Sequence, residues 1–146
     1  MRDVVINPAA GGKGGKPFEL YKPDKPVKSI DIWSNNGEGG ASNYIVLKGL
    51  AINWDDGSEF RGQKKGPRTH FTFDQEHVRG MNICAAPSGS EGRCDSIDFT
   101  LEHNEELFIG GEGGHKNTEQ VGNGVLVGFV GAAQGDIDRL GAVFQK

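Results

Sequence analysis

Apolar positions along the chain alternate with polar ones far more often than they recur at helical spacing. Ile30 and Ile32 flank Asp31, and Leu50, Ile52 and Trp54 alternate with Ala51 and Asn53. Phe71 and Phe73 flank Thr72. Ile97, Phe99 and Leu101 alternate with Asp98 and Thr100, and Val125, Val127 and Phe129 form a further face. A two-residue period turns one side of an extended chain toward a core, so each run predicts a half-buried strand. Asp56-Gly57, Pro87-Ser88-Gly89 and Asn123-Gly124 predict turns between strands. No 3.6-residue pattern lasts three turns. The chain reads as all-β, built of many short strands.

Repeats lie on top of this alternation. Glu91-Gly92-Arg93-Cys94-Asp95-Ser96-Ile97 and Gln134-Gly135-Asp136-Ile137-Asp138-Arg139-Leu140 share one shape. It is a long polar residue, Gly, any residue, an apolar residue, Asp, any residue, then Ile or Leu. Leu47-Lys48-Gly49-Leu50 is a weaker third copy with lysine in the aspartate's place. Lys48, Asp95 and Asp138 stand 47 and 43 residues apart, so three such units fill most of the chain. Gly11-Gly12-Lys13-Gly14-Gly15, Gly37-Glu38-Gly39-Gly40 and Gly110-Gly111-Glu112-Gly113-Gly114 form a second series. Such runs permit φ > 0 and close approach of backbone to a neighbour or a ligand.

Composition narrows the classes. Glycine supplies 24 of 146 residues without the three-residue period of collagen, and a hydrophobic share of 35% argues against disorder. The length suits one domain, 1–146. A net charge of -4 disfavours a nucleic-acid partner. No apolar run reaches the ~20 residues of a membrane helix, so no membrane insertion is expected. Met1-Arg2-Asp3-Val4-Val5-Ile6-Asn7-Pro8 lacks a signal-peptide apolar core, which points to the cytoplasm or to export without a recognisable signal. Cys84 and Cys94 could face each other across a hairpin as one disulfide, or stand as two partly buried free thiols.

Enzyme signatures are missing. His70, His77, His103 and His115 form no H-E-x-x-H pair and no close ligand cluster in sequence. Gly15-Lys16-Pro17 breaks the phosphate-loop rule, no G-x-S-x-G elbow occurs, and the cysteines are not spaced as a redox pair. Asp136 and Asp138 are close in sequence, but a glycosidase needs carboxyls facing across a cleft, about 5–9.5 Å apart. No catalytic residue, metal ligand or cofactor is assigned.

On three stretches the chain resembles the jacalin-related lectins. They are Gly11-Gly12-Lys13-Gly14-Gly15-Lys16-Pro17-Phe18, Leu50-Ala51-Ile52-Asn53-Trp54-Asp55-Asp56-Gly57-Ser58, and Gly128 to Phe144 with its Gly135-Asp136-Ile137-Asp138-Arg139-Leu140 core. The resemblance implies a β-prism I: three four-stranded Greek-key sheets with pseudo-three-fold symmetry and shallow sugar sites at one end. It implies a non-catalytic carbohydrate-binding function, with glycans or glycoproteins as partners and a homodimer or higher homo-oligomer among the expected states. In the family an aspartate at the end of a G-x-x-x-D loop accepts sugar hydroxyls, and nearby backbone N–H groups donate. Carried onto this chain, one site is Gly12, Gly135, Asp136, Ile137 and Asp138. A second, by pseudo-symmetry, is Gly113, Gly114, Gly92, Arg93, Cys94 and Asp95. The first-repeat site is lost, because Lys48 cannot accept a hydrogen bond. The family glycine stands four residues before the aspartate; Gln134 and Glu91 hold those positions here, so the loop path differs. Ten residues precede Gly11, which resembles the uncut, mannose-type members.

The chemistry agrees with that reading. An ionised carboxylate accepts two hydroxyls at once, and N–H groups supply the complementary donors. Each bond to a charged partner is worth about 1.5–3 kcal/mol, so one monosaccharide should bind weakly. Plainer readings stand beside it. Asp95 and Asp138 could cap turns, and Arg93 could pair with Asp95. Asp136 is expected as a solvated loop residue that lends only its backbone. Trp54 belongs to a buried face, Trp33 is core or contact, and Tyr44 could be an accessory contact. A protein-interaction module with degenerate sugar sites is the alternative function.

Overall fold

The computed structural model describes residues 3–146, and these form strands joined by loops and a single short 3₁₀ turn at Gly39–Ala41. Strands β1 (Val4–Ile6), β2 (Ala10–Gly11) and β3 (Lys16–Tyr21) come first. Next are β4 (Ser29–Asn36), β5 (Ile45–Trp54), β6 (Gly57–Gly62) and β7 (Arg68–Thr72), which pair antiparallel in the order β6-β5-β4-β7. Strands β8 (Val78–Ala85), β9 (Cys94–Leu101), β10 (Glu106–Gly110) and β11 (His115–Thr118) repeat the order as β10-β9-β8-β11. In both sheets the fourth strand returns beside the first, which is the Greek-key arrangement.

The third sheet joins the two ends of the chain. β12 (Leu126–Ala133) and β13 (Ile137–Gln145) form its central hairpin, β3 pairs with β12, and β1 and β2 both pair with β13. The outer strand is thus split around Asn7-Pro8-Ala9, where Pro8 lacks a ladder donor. Apart from that break, the three Greek-key sheets of a β-prism I are as expected. No helix among the described residues is long and apolar enough to cross a membrane.

The alternating runs face one shared core. Ile30, Ile32, Leu50 and Ile52 meet Met81, Ile83, Ile97 and Phe99 from the second sheet and Phe129, Leu140 and Phe144 from the third. Each such side chain contributes about 1.5–3 kcal/mol on burial. Phe99 packs against Phe71 and Phe73 at 5.3 and 5.6 Å between ring centroids. Trp54 is buried, and its Nε1 donates to the Val127 carbonyl at 3.1 Å, linking first and third sheets. Trp33 is half-buried and packs edge-on against Phe60 at 5.6 Å.

One sequence expectation needs correction. Val125, Val127 and Phe129 do not share a face. The β12–β13 register slips between Leu126 and Gly128, so Val127 joins Val130 and Val143 in a second cluster while Phe129 stays in the main core. A bulge breaks a two-residue period that a continuous strand would keep. Of the two cysteine readings, the free thiols hold: Cys84 is partly buried and Cys94 fully buried.

Candidate functional site

One irregularity recurs at the same place in all three sheets. Trp33 pairs with Gly49 and Ser34 with Leu47; Cys84 pairs with Ser96 and Ala85 with Cys94; Ala132 pairs with Arg139 and Ala133 with Ile137. The residues skipped are Lys48, Asp95 and Asp138. Each is the extra residue of a β-bulge, which turns its side chain out of the normal alternation. That is how one ionisable side chain per sheet comes to lie at the same end of the prism.

A glycine-bounded loop crosses each bulge. Gly12 N–H donates to the Asp138 carbonyl at 2.8 Å, Gly111 N–H to Asp95 at 2.9 Å and Gln63 N–H to Lys48 at 2.8 Å. The three equivalent loops are therefore 11–15, 110–114 and 62–66. This corrects the glycine series: Gly37–Gly40 lies in the β4–β5 connection and is not the third member. Gly62 and Gly66 keep the separation of Gly11 and Gly15, a signal the sequence carried but the intervening Gln63-Lys64-Lys65 obscured. The fourth position follows the bulge residue. It is Gly14 opposite Asp138, Gly113 opposite Asp95, and Lys65 opposite Lys48.

The reason is space. A Cβ on Gly113 would stand 3.0 Å from Asp95 Oδ2, and one on Gly114 2.7 Å from Oδ1. A Cβ on Gly14 would stand 3.1 Å from Asp138 Oδ1, and one on Gly15 would overlap Oδ2. Gly15 and Gly114 also hold φ of 80° and 85°, which disfavours any side chain. The sequence reading chose Gly113 and Gly114 correctly as Asp95's neighbours. For Asp138 it chose Gly12, whose N–H is already spent; Gly14 and Gly15 are the flanking pair.

The two aspartates share burial but not surroundings. Asp95 is 8% exposed, and its carboxylate has no hydrogen-bond or ion-pair partner among the described residues. Burial holds it above the usual carboxylate range. It lines a cleft of about 440 Å³ with Gly113, Gly114, Gly92, Arg93, Ala86, Pro87 and His115. Glu91 and, from the first sheet, Gly40, Ala41, Tyr44 and Val46 complete the wall. Asp138 is 6% exposed and lies 3.8 Å from Arg93 Nε. Burial raises its carboxyl too, Arg93 pulls it back and Asp136 adds to the rise. The N–H groups of Gly135, Asp136 and Gly14 donate to no protein acceptor among the described residues.

Asp136 is not a solvated loop residue. Its side chain is fully buried and gathers three donors: Lys48 Nζ on Oδ1, Arg93 Nε at 2.8 Å and the Glu38 N–H at 2.9 Å on Oδ2. Burial alone would push this carboxyl up, but the Glu38 N–H, Lys48 and Arg93 outweigh it and hold it below the usual range. Lys48 also donates to the Asn36 carbonyl at 3.0 Å. Asp136 therefore ties the three sheets together, through Lys48 of the first and Arg93 of the second. Arg93 pairs with Asp136 rather than with Asp95. Ile137 and Cys94 are both fully buried, so they face the core and reach either site only through backbone.

The fold also collects residues that sequence spacing kept apart. Glu76, Glu102 and His103 bring their ligand atoms within 4.8 Å of one another, with His103 Nδ1 2.5 Å from Glu76 Oε1. His103 and Glu102 are exposed; His103 hydrogen-bonds Glu76, while Glu102 lies 3.5 Å from His77 Nδ1.

The sequence pattern of the Jacalin-like lectin domain matches residues 8–143. The chain belongs to that family. As a jacalin-like lectin domain it is a carbohydrate-binding module, not a catalytic one. Similar solved structures have the same fold at low identity. A lamprey immune protein is 20% identical with a TM-score of 0.82, over 98% of this chain and 44% of its own. The chain thus spans under half of that protein. A mannose-binding jacalin-related lectin from Ananas comosus is 17% identical with a TM-score of 0.77, over 98% and 99%. Artocarpin in complex with mannotriose is 16% identical with a TM-score of 0.75, over 97% of each chain. No curated protein sequence matches the chain.

Proposed function

We propose that this jacalin-like domain binds mannose-containing glycans at two sites, centred on Asp95 and Asp138, with Asp95 the stronger. One observation carries the ranking. Asp95 presents a nine-tenths-buried, partnerless carboxylate to an open cleft. A buried charge without a partner is costly, and a sugar that brings two hydroxyls repays that cost. The carboxylate accepts, and Gly113 and Gly114 leave room for the sugar to approach.

Asp138 offers the same acceptor between Gly14 and Gly15, with free N–H groups on Gly135 and Asp136. Arg93 already neutralises part of its charge, which lowers the gain from a hydroxyl. The mannose preference is supported by the two relatives whose ligand is mannose or mannotriose. Two sites per chain, multiplied in any oligomer, would turn weak single contacts into useful avidity on a branched glycan.

The test is a glycan array of the native chain with Asp95→Ala and Asp138→Ala. Mannose-rich signal that falls strongly in Asp95→Ala and partly in Asp138→Ala is the expected result. Signal indifferent to both substitutions would reject both sites. No signal on any glycan from folded protein would favour a protein-interaction role.

A further inference from the structure

The Asp95 cleft has an unusual third wall. Its own loop (86–93) and the glycine loop (110–114) make two sides, and the third comes from the first sheet's β4–β5 loop. That is the sheet whose bulge carries Lys48. The contact is close: a Cβ on Gly111 would overlap the Ile45 carbonyl, so only glycine lets the two loops touch here. The wall is also well braced. Ala41 N–H donates to the Glu38 carbonyl at 3.1 Å, Tyr44 N–H to Ala41 at 3.0 Å and Gly37 N–H to Tyr44 at 3.0 Å. Asn36 Nδ2 donates to the Ser42 carbonyl at 3.1 Å, and the Glu38 N–H is fixed on Asp136.

This brace ends in an exposed aromatic ring. Tyr44 lines the cleft, is 58% exposed, and neither its ring nor its phenol has a partner among the described residues. Counted back from the bulge residue, Tyr44 precedes Lys48 as Glu91 precedes Asp95 and Gln134 precedes Asp138. Glu91, at the matching position of the second sheet, lines this same cleft and reaches back to Lys13 of the 11–15 loop at 3.1 Å. Tyr44 thus gives the Asp95 cleft an aromatic rim.

We infer that the Asp95 cleft takes an oligosaccharide of at least two hexose units, with Tyr44 carrying the second. This rests on the reading of Asp95 as a sugar acceptor. One hexose satisfies the carboxylate. A cleft of about 440 Å³ leaves room beyond it, within the roughly 300–1,000 Å³ of sites that hold larger ligands. A hexose ring has an apolar C–H face and a rim of hydroxyls. Tyr44 matches both, with an apolar ring face to cover and a phenol to donate and accept. The loop that lost its own site thus serves its neighbour. Because the loop is braced before binding, little ordering entropy opposes the contact.

The experiment isolates this cleft in the Asp138→Ala chain and titrates it with methyl mannoside and with mannotriose. Mannotriose should bind roughly ten-fold tighter, a difference one well-covered aromatic face can supply. Tyr44→Ala should abolish that ratio and leave the methyl mannoside Kd unchanged, and Tyr44→Phe should keep most of it. Equal Kd values for the two sugars, or a ratio that survives Tyr44→Ala, would overturn the inference while leaving Asp95 as the acceptor. Loss of neither sugar in Asp95→Ala would overturn the acceptor itself, and the inference with it.

Discussion

The Asp95 and Asp138 corners are the same device in two settings. Each is a bulge aspartate framed by two glycines on a loop that crosses it. What differs is the neighbouring sheet's contribution. Beside Asp95 that sheet presents Tyr44 and leaves the carboxylate unpaired. Beside Asp138 it presents Arg93 at 3.8 Å and the Glu91–Lys13 pair. Three-fold repetition copies the acceptor, while the rim comes from the next sheet and is free to diverge. On the proposed function, specificity is then set at the junction between sheets.

The largest effect should come from breaking what separates the corners. Asp136→Ala leaves Lys48 buried without its carboxylate. Removing one partner of a buried pair costs about 3–5 kcal/mol, read from denaturant unfolding. Arg93, freed from Asp136, then has Asp138 as its nearest carboxylate, so binding at Asp138 should weaken more than at Asp95.

A pH titration should move stability by nearly as much while sparing the comparison. Glu119 is buried, and burial raises its carboxyl to about 7, although the Ala142 N–H opposes this at 2.8 Å. Against an ordinary 4.5, the native state holds an extra proton between those values, so stability is lost as pH rises through that window. The span corresponds to about 3 kcal/mol. Glu119→Gln should flatten that slope. Asp136 has the opposite sign: its lowered pKa gives stability above the usual carboxylate range that fades as pH falls below it. Unfolding midpoints from pH 8 to pH 3 should rise and then fall. A monotonic curve would contradict one of these assignments.

Gly114→Ala and Gly15→Ala form the next pair. Each puts a Cβ against one carboxylate at positive φ, at a cost of about 1–2 kcal/mol. Gly114→Ala should remove Asp95-dependent glycan binding and spare Asp138; Gly15→Ala should do the reverse. If either abolished both sites, the corners would not be independent.

The smallest changes concern the rim. Glu91→Ala removes an exposed ion pair and should shift stability by less than about 1 kcal/mol. Glu91→Tyr gives the Asp138 corner the aromatic residue of its neighbour. In an Asp95→Ala chain it should raise the mannotriose preference a few-fold, measured by calorimetry. No change would mean that Tyr44 depends on the brace of its own loop.

Much of this was legible before any coordinates. Strand alternation, the bulge aspartates' shared context and the glycine clusters 11–15 and 110–114 are local patterns, and local sterics and hydrophobic periodicity determine them. Lys48 could be recognised as a lost acceptor because its chemistry forbids accepting a hydrogen bond. The sequence by itself thus determined the class of fold, the repeat and the two aspartates proposed as acceptors. Other features depended on residues far apart in the chain. Asp136 looked solvated because its three donors come from positions 38, 48 and 93 on other sheets. Arg93 looked like a partner for Asp95, its near neighbour, yet the β9 strand turns it toward the third sheet. The 62–66 loop was hidden by its lysines until its Gln63 N–H was found on the Lys48 carbonyl. Tyr44 became a rim residue only once Gly111 had docked on Ile45. Short-range pattern dictates which residues can form a corner. Only closure of three sheets around one axis decides which side chains meet across it, because those contacts join residues that no sequence period relates.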